Sequence, residues 1–313
     1  MHPPDRIIID TDPGVDDAIA ILMALAGPGL EVLGLTAVGG NVSLARATRN
    51  SLALLEYAGR TNVSVFRGAA RPLRGRFPYS HHFHGASGLT RRLPQPRTAA
   101  AQEKAVDFLA GQLQRYPGQV TLVALGPLTN LARLRQREPA ALSNLEALVV
   151  MGGAVNVPGN VTAHAEFNFY CDPLAAREVL CSGTPLTLVD LGACRRVCIT
   201  REAAAHLSSQ HPLGRLVVQL LNNWFGRDPK RTRFEFYDPL TLAAALDPSL
   251  LDTRQVTALV EIEDAEKLGK IRVVAEGGPV SVVEGVDQGR CFGMFRELLG
   301  LEGLEFASPP GRT

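Results

Sequence analysis

The sequence predicts an α/β fold: an open, mostly parallel, doubly wound (Rossmann-like) sheet with helices on both faces and a small C-terminal antiparallel β addition. Three observations carry that expectation. Short β-branched runs alternate with longer segments of helical period from the N-terminus onward. The 313 residues, 46% hydrophobic and 20% charged, supply enough apolar material for one large core. After about two thirds of the chain the rhythm changes to clustered helices followed by three β runs.

The elements follow in order. Residues 6–10 (Arg-Ile-Ile-Ile-Asp) are a buried strand, and residues 16–26 carry the helical period that returns the chain along a sheet face. Strand 32–38, helix 43–58 and strand 63–66 repeat the unit, the pattern of parallel strands joined by right-handed crossovers. Residues 67–97, containing Pro and Arg, interrupt it and are too long for a plain connection; loops of that length are usually functional or disordered. Alternation resumes with helix 101–115, strand 120–125, a short helix from Leu128, strand 145–151, helix 173–181 and strand 186–191. Six parallel strands result, whose carboxyl ends form one ligand-binding edge. Helices near 201–208, 213–225 and 239–246 precede β runs 256–263, 271–275 and 280–286, read as the antiparallel addition, and a closing helix 291–299. No linker rich in Pro, Gly or Ser and no internal repeat divides the chain, so residues 1–313 read as a single domain.

Charge narrows the partner. Lys plus Arg is 32 against 31 for Asp plus Glu, and a formal charge of +1 provides no field to gather nucleic acid or an anionic membrane surface. No apolar run has the length to cross a bilayer. The expected ligand is small and nearly neutral. Five cysteines are an odd number with no C-x-x-C pair, and no charged-then-apolar leader precedes the first strand, so reduced thiols and a cytoplasmic location are expected.

The strongest chemical signal is Asp10-Thr11-Asp12-Pro13-Gly14-Val15-Asp16-Asp17, set directly after an apolar strand and opening a helix. Proline and glycine force a tight turn that folds Asp10 and Asp12 back toward Asp16 and Asp17. Like charges so close repel unless a cation sits among them, and Ca²⁺ tolerates the irregular oxygen coordination that carboxylates, carbonyls and waters supply. A water on such an ion beside a free carboxylate becomes a nucleophile. The plain alternative is helix capping, since acids in a first turn complement the helix dipole at about 0.3 to 1 kcal/mol each. That accounts for one acid, not four.

Asp10 through Asp17 matches, without a gap, the D-x-D-P-G-x-D-D signature of the inosine-uridine-preferring nucleoside hydrolase family, which the chain resembles along nearly its whole length. Further matches come in family order: Gly39-Gly40-Asn41, His84-Gly85 with Gly88, Gly126-Pro127-Leu128-Thr129-Asn130, Met151-Gly152-Gly153, Asn160, Glu166-Phe167-Asn168, Asp172-Pro173 and Asp238-Pro239. The resemblance implies an enzyme that cuts the N-glycosidic bond of ribonucleosides with Ca²⁺ as cofactor, and a homodimer or homotetramer. It implies that Asp12, Asp17, Asp238 and the backbone carbonyl of Leu125 bind the ion, and that Asp12 takes the proton from the attacking water. Asp16, Asn41, Asn160, Glu166 and Asn168 would hold the ribose hydroxyls, with Met151 under the sugar. The chemistry agrees: C–N cleavage develops oxocarbenium character on the ribose, and a cage of Asp, Glu and Asn oxygens stabilises it.

Leaving-group protonation is where the chain departs from the family. Many members carry a histidine just before the last calcium aspartate, but here the segment reads Phe236-Tyr237-Asp238. Tyr237 is then an acid through its phenol or an aromatic wall for the base, and His84 is the second candidate for the base-facing role. His81 and His82 read as solvated. Trp224-Phe225 with Arg227, Arg231 and Arg233 reads either as a lid over the base or as a helix end with a solvated basic face. Two rivals are a Mg²⁺-dependent phosphatase with an aspartyl nucleophile, which lacks its positioned lysine here, and a calcium-stabilised ribosyl-binding protein without turnover.

Overall fold

The run Ile7-Ile8-Ile9 is the centre of the sheet, and its period of two divides the interior. Ile7 and Ile9 join one apolar layer and Ile8 the other, all fully buried. In the computed structural model, which describes residues 4–305, the strands are β1 (Arg6–Thr11), β2 (Glu31–Ala37), β3 (Ser64–Arg67), β4 (Thr121–Ala124), β5 (Ala147–Met151), β6 (Leu186–Val189), β7 (Cys198–Thr200), β8 (Ser208–Ser209), β9 (Arg233–Glu235), β10 (Leu251–Val260), β11 (Ile271–Glu276), β12 (Val280–Val286) and β13 (Leu301–Glu302). The helices are α1 (Val15–Ala26), α2 (Leu44–Tyr57), α3 (His81–His84), α4 (Ala105–Arg115), α5 (Thr129–Arg137), α6 (Phe167–Cys171), α7 (Pro173–Leu180), α8 (Leu191–Cys194), α9 (Arg201–Ala205), α10 (Pro212–Gly226), α11 (Tyr237–Leu246) and α12 (Gln288–Leu299).

The nine-stranded sheet has the order β11-β10-β12-β6-β5-β4-β1-β2-β3. Helices α1, α2, α10, α11 and α12 cover the face of Ile7 and Ile9; α4, α5 and α7 cover the face of Ile8. From β1 the chain steps outward through β2 and β3, then returns to lay β4 on the other side of β1. The carboxyl ends of β1 and β4 therefore border the switch point where doubly wound sheets bind ligands.

The doubly wound reading holds, and the three late strands form the antiparallel addition: β10 pairs antiparallel with β11 and β12, and β12 joins the set to the main sheet by pairing in parallel with β6. Only β10 runs against its neighbours, β12 on one side and β11 on the other. An alternating apolar pattern fixes which face a strand buries but not which strand lies beside it, so this pairing is invisible to periodicity. The sequence reading also ran a helix through 201–208, whereas α9 ends at Ala205 and Ser208–Ser209 pairs with β13. Among the described residues, no helix is long and apolar enough to cross a membrane.

Candidate active site

Pro13 and Gly14 turn the chain at the end of β1, and Gly14 is the N-cap of α1. Asp17, in the first turn, accepts the Gly14 N–H at 2.9 Å, so part of its role is the helix capping that its position suggested. It also accepts Thr11 Oγ1 at 2.6 Å and Asn41 Nδ2 at 3.1 Å. Asp10 accepts Thr36 Oγ1 at 2.5 Å and Asn130 Nδ2 at 2.7 Å, which ties β1 to β2 and to α5. Asp12 accepts the Asn41 N–H through Oδ2. Its carboxylate leaves no room for side chains on two neighbours: a Cβ on Gly40 would fall 2.0 Å from Asp12 Oδ2, and one on Gly126 2.8 Å from Oδ1. The glycines of the second and fourth strand ends thus serve the aspartate of the first.

Burial and mutual repulsion dominate the electrostatics. Asp10, Asp12, Asp16, Asp17 and Asp238 are all buried. Desolvation raises the Asp10 carboxyl to about 7. Desolvation and then the charge of Asp17 raise Asp16 to about 8. Asp12 and Asp238 are pushed well above the carboxylate range, by burial first and then by neighbouring aspartates. Oxygens of Asp16, Asp17 and Asp238 lie within 4.8 Å of one another. Buried Asp10 Oδ2, Asp12 Oδ1 and Asp16 Oδ1 have no hydrogen-bond partner among the described residues. Buried unpaired carboxylate oxygens are costly, and a cation with an all-oxygen preference is the partner that would relieve the group around Asp16, Asp17 and Asp238. The donor set therefore fits a hard metal ion.

Above the cluster lies a cavity of about 180 Å³. Asp16, Asn41, Leu125 and Asp238 line it on the side of the acids. Met151, Asn160, Glu166 and Asn168 line it from the ends of β5 and α6, and His84 and Tyr237 complete it. Asp12 and Asp17 do not reach the cavity surface; both are 0% exposed and touch its lining through Asn41. Asn168 Nδ2 donates to the Leu125 carbonyl at 2.7 Å and also approaches Met151 Sδ at 3.4 Å, so one amide joins two parts of the cavity floor. Glu166 caps α6: Oε1 accepts Asn168 N–H at 2.8 Å, and Oε2 accepts Gly153 N–H at 2.9 Å and Phe169 N–H at 3.1 Å. Burial nevertheless raises its carboxyl to about 7.

The family model described as inosine-uridine preferring nucleoside hydrolase matches residues 7–293. This chain belongs to that family. Uridine nucleosidase 1 of Arabidopsis thaliana is 37% identical over 265 residues, 83% of this chain and 79% of that protein. Pyrimidine-specific ribonucleoside hydrolase RihA of Shewanella woodyi is 36% identical over 269 residues, 84% and 86% of the two chains. Among solved structures, the plant nucleoside hydrolase PpNRh1 superposes with a TM-score of 0.88 at 33% identity, covering 95% of this chain and 99% of that one. A purine-preferring ribonucleoside hydrolase from Gardnerella vaginalis gives a TM-score of 0.87 at 28% identity, covering 94% and 98%. The protein is a nucleoside hydrolase, and ribonucleosides are its substrates.

On the remaining side of the cavity of this nucleoside hydrolase, His84 ends α3 and Tyr237 opens α11. The ring of His84 lies against Gly14, where any Cβ would fall 2.5 Å from it. Val15 N–H donates to His84 Nδ1 at 3.1 Å, which leaves Nε2 to carry the proton of the neutral ring. Burial, followed by the nearby cations, depresses this imidazole to about 3. The Tyr237 hydroxyl donates to Glu235. Burial and then the Glu235 charge push the phenol well above its usual range, because ionising it would set phenolate beside carboxylate.

Sequence reasoning missed Ser80, Phe83, Val161 and Phe167, which also line the cavity, and it left His82, at the mouth, as merely solvated. Ser80 Oγ donates to Asn41 Oδ1 at 2.7 Å and so orients the amide that reaches Asp17. Only the neighbouring His84-Gly85 motif pointed to this loop. Glu235 was missed as well; its signal was its place two residues before Tyr237, at the end of β9.

Proposed function

We propose that this enzyme hydrolyses pyrimidine ribonucleosides, uridine first among them, to ribose and free base, with Asp12 as the general base and Ca²⁺ as the ion of the acid cluster. One observation carries the reading: Asp12 Oδ1 is fully buried and unpartnered among acids, next to Asn41 in the wall of a cavity whose lining includes Asp16, Asn160, Glu166 and Asn168. Pyrimidine preference rests on the names of the similar proteins, a uridine nucleosidase and a pyrimidine-specific hydrolase.

Asp12, Asp17, Asp238 and the Leu125 carbonyl would hold the ion, with Asp16 beside them. When bound, Ca²⁺ offsets the carboxylate repulsion and lowers the pKa of nearby water. Asp12 Oδ1 accepts the proton as the water oxygen bonds to the anomeric carbon. The C–N bond breaks with its electron pair leaving on the base. Asp16, Asn160, Glu166 and Asn168 hold the ribose hydroxyls and stabilise the positive charge that grows on the ring. The backbone N–H groups around Glu166 fix its carboxylate at the cavity wall for this. Asn41, held between Ser80 and Asp17, positions the acids more than it meets sugar. Neutral His84 offers its Nε2–H to the departing base. Tyr237, whose proton is committed to Glu235, is a wall and an acceptor. The five cysteines, all unpaired, suit a reducing compartment such as the cytoplasm.

The direct test is ribose release from a panel of purine and pyrimidine ribonucleosides, with chelator and with added Ca²⁺. Calcium-dependent release, fastest from uridine, is the expected result; release unaffected by chelation, or fastest from a purine, overturns the corresponding half of the proposal. For the leaving-group side, His84→Ala is expected to lower kcat/KM for uridine by about 100-fold, in the range of a positioned proton-donating group. Tyr237→Phe should change kcat by less than about threefold, because its proton already serves Glu235. Equal losses in the two variants, measured at steady state, assign the proton to the phenol instead.

A further inference from the structure

The cavity walls differ in how they are anchored. The acid side and the sugar side hang on strand ends of the main sheet, whereas Phe83 and His84 come from α3, four residues long, inside the long loop between β3 and α4. On its inner side α3 is fastened by Ser80 N–H to the Asn41 carbonyl at 3.0 Å and by His84 Nδ1 to Val15. On its outer side the fastening is Arg231. Its Nη2 donates to the His82 carbonyl at 2.9 Å and the Phe83 carbonyl at 3.2 Å, carbonyls that a helix this short cannot satisfy itself. Its Nη1 donates to the Trp224 carbonyl at 2.8 Å, near the end of α10. The guanidinium lies over the Trp224 ring at 4.2 Å and the Phe83 ring at 5.7 Å, and those two rings meet edge to face at 5.1 Å. The Arg231 carbonyl is itself held by Arg201 Nε at 2.9 Å. The Trp and Arg side chains that the sequence offered as a lid for the base are thus stacked on one another.

We propose that Arg231 is a positioning residue for substrate binding: it clasps α3 against the Trp224 end of α10 and thereby holds Phe83 and His84 in the cavity wall. The inference rests on the hydrolase reading of the cavity and adds to it a residue outside the lining. Arginine suits the place for geometric reasons: a planar donor fork stacks on a ring while reaching three carbonyls, and a lysine ammonium, a point charge without a plane, does this only in part. Loss of the clasp frees the wall that meets the base, His84 included, but leaves Asp12 and the acid cluster untouched. Affinity and leaving-group assistance therefore fall together.

The experiment compares wild type, Arg231→Lys and Arg231→Ala with uridine at saturating Ca²⁺, reading KM and kcat separately. Trp224 is the chain's one tryptophan, so acrylamide quenching of its emission reports the clasp in the substrate-free protein. Expected are a KM raised at least about tenfold in Arg231→Ala, a fall in kcat smaller than that of His84→Ala, stronger Trp224 quenching, and partial recovery of all three in Arg231→Lys. The lysine variant keeps the test valid if the alanine variant does not fold. Unchanged KM despite stronger quenching overturns the inference, as does a loss confined to kcat. Wild type that releases no ribose from any ribonucleoside overturns the hydrolase reading and this inference with it, whereas normal wild-type turnover with unchanged variants overturns the inference alone.

Discussion

Asp12→Asn is expected to lower kcat by about 10³-fold or more while KM for uridine changes only a few-fold, the size of effect associated with removing a positioned general base. The substitution conserves shape, and the amide still offers one oxygen to the Asn41 N–H. What it removes is the second oxygen, Oδ1, which is buried without a partner and free to accept a proton. Shape matters here more than usual. With Gly40 and Gly126 packed against the carboxylate, Asp12→Glu has nowhere to put its extra methylene and should damage folding as well as turnover. Steady-state kinetics of Asp12→Asn, alongside a thermal unfolding curve to show that the variant is folded, decide the matter. A kcat within tenfold of wild type would remove Asp12 from the base role.

The second large effect concerns stability, pH and the ion together. In the ion-free protein, burial and repulsion raise Asp10 from 3.8 to about 7, Asp16 from 3.8 to about 8 and Glu166 from 4.5 to about 7. Between the ordinary values and the raised ones, the folded chain holds protons that the unfolded chain releases. Stability is therefore greatest at the acidic end of that window and falls as pH climbs through it. Chelated protein should lose roughly 5 °C or more in Tm between about pH 5 and pH 8, a change of only a few kcal/mol for a chain of this size. Saturating Ca²⁺ binds the ionised carboxylates in place of protons, so it should raise Tm most at pH 8 and flatten the slope. Differential scanning fluorimetry across that range, with chelator and with Ca²⁺, measures both. Asp12 and Asp238, raised by the same burial and repulsion, belong to the same window; parallel curves, shifted equally at every pH, would mean that Asp12, Asp16 and Asp238 are not the acids that meet the ion.

How far the site could be read in advance depends on the kind of residue. Asp10 through Asp17 were legible because a strand, a turn and a helix start are consecutive in sequence, so spacing alone brings their carboxylates together. Asp238 was legible only through family resemblance, for it reaches Asp17 across most of the chain. Ser80 and Arg231 carry no pattern: a serine in a loop and an arginine after a helix acquire meaning only once Asn41 and the His82 carbonyl are found beside them. The doubly wound sheet followed from alternation, yet the parallel pairing of β12 with β6 did not, since Val280, Val282 and Leu186 look the same to any partner.

The wide sequence spacing of the acids has a consequence for how the protein assembles. Asp17 belongs to the first helix and Asp238 to the eleventh, and the two meet only after the strands between them have taken their places. A partly folded chain presents at most a fraction of the coordinating oxygens. Tight affinity for a metal ion should thus arise late, with the slow, long-range contacts, and act as a latch joining the first helix to the eleventh.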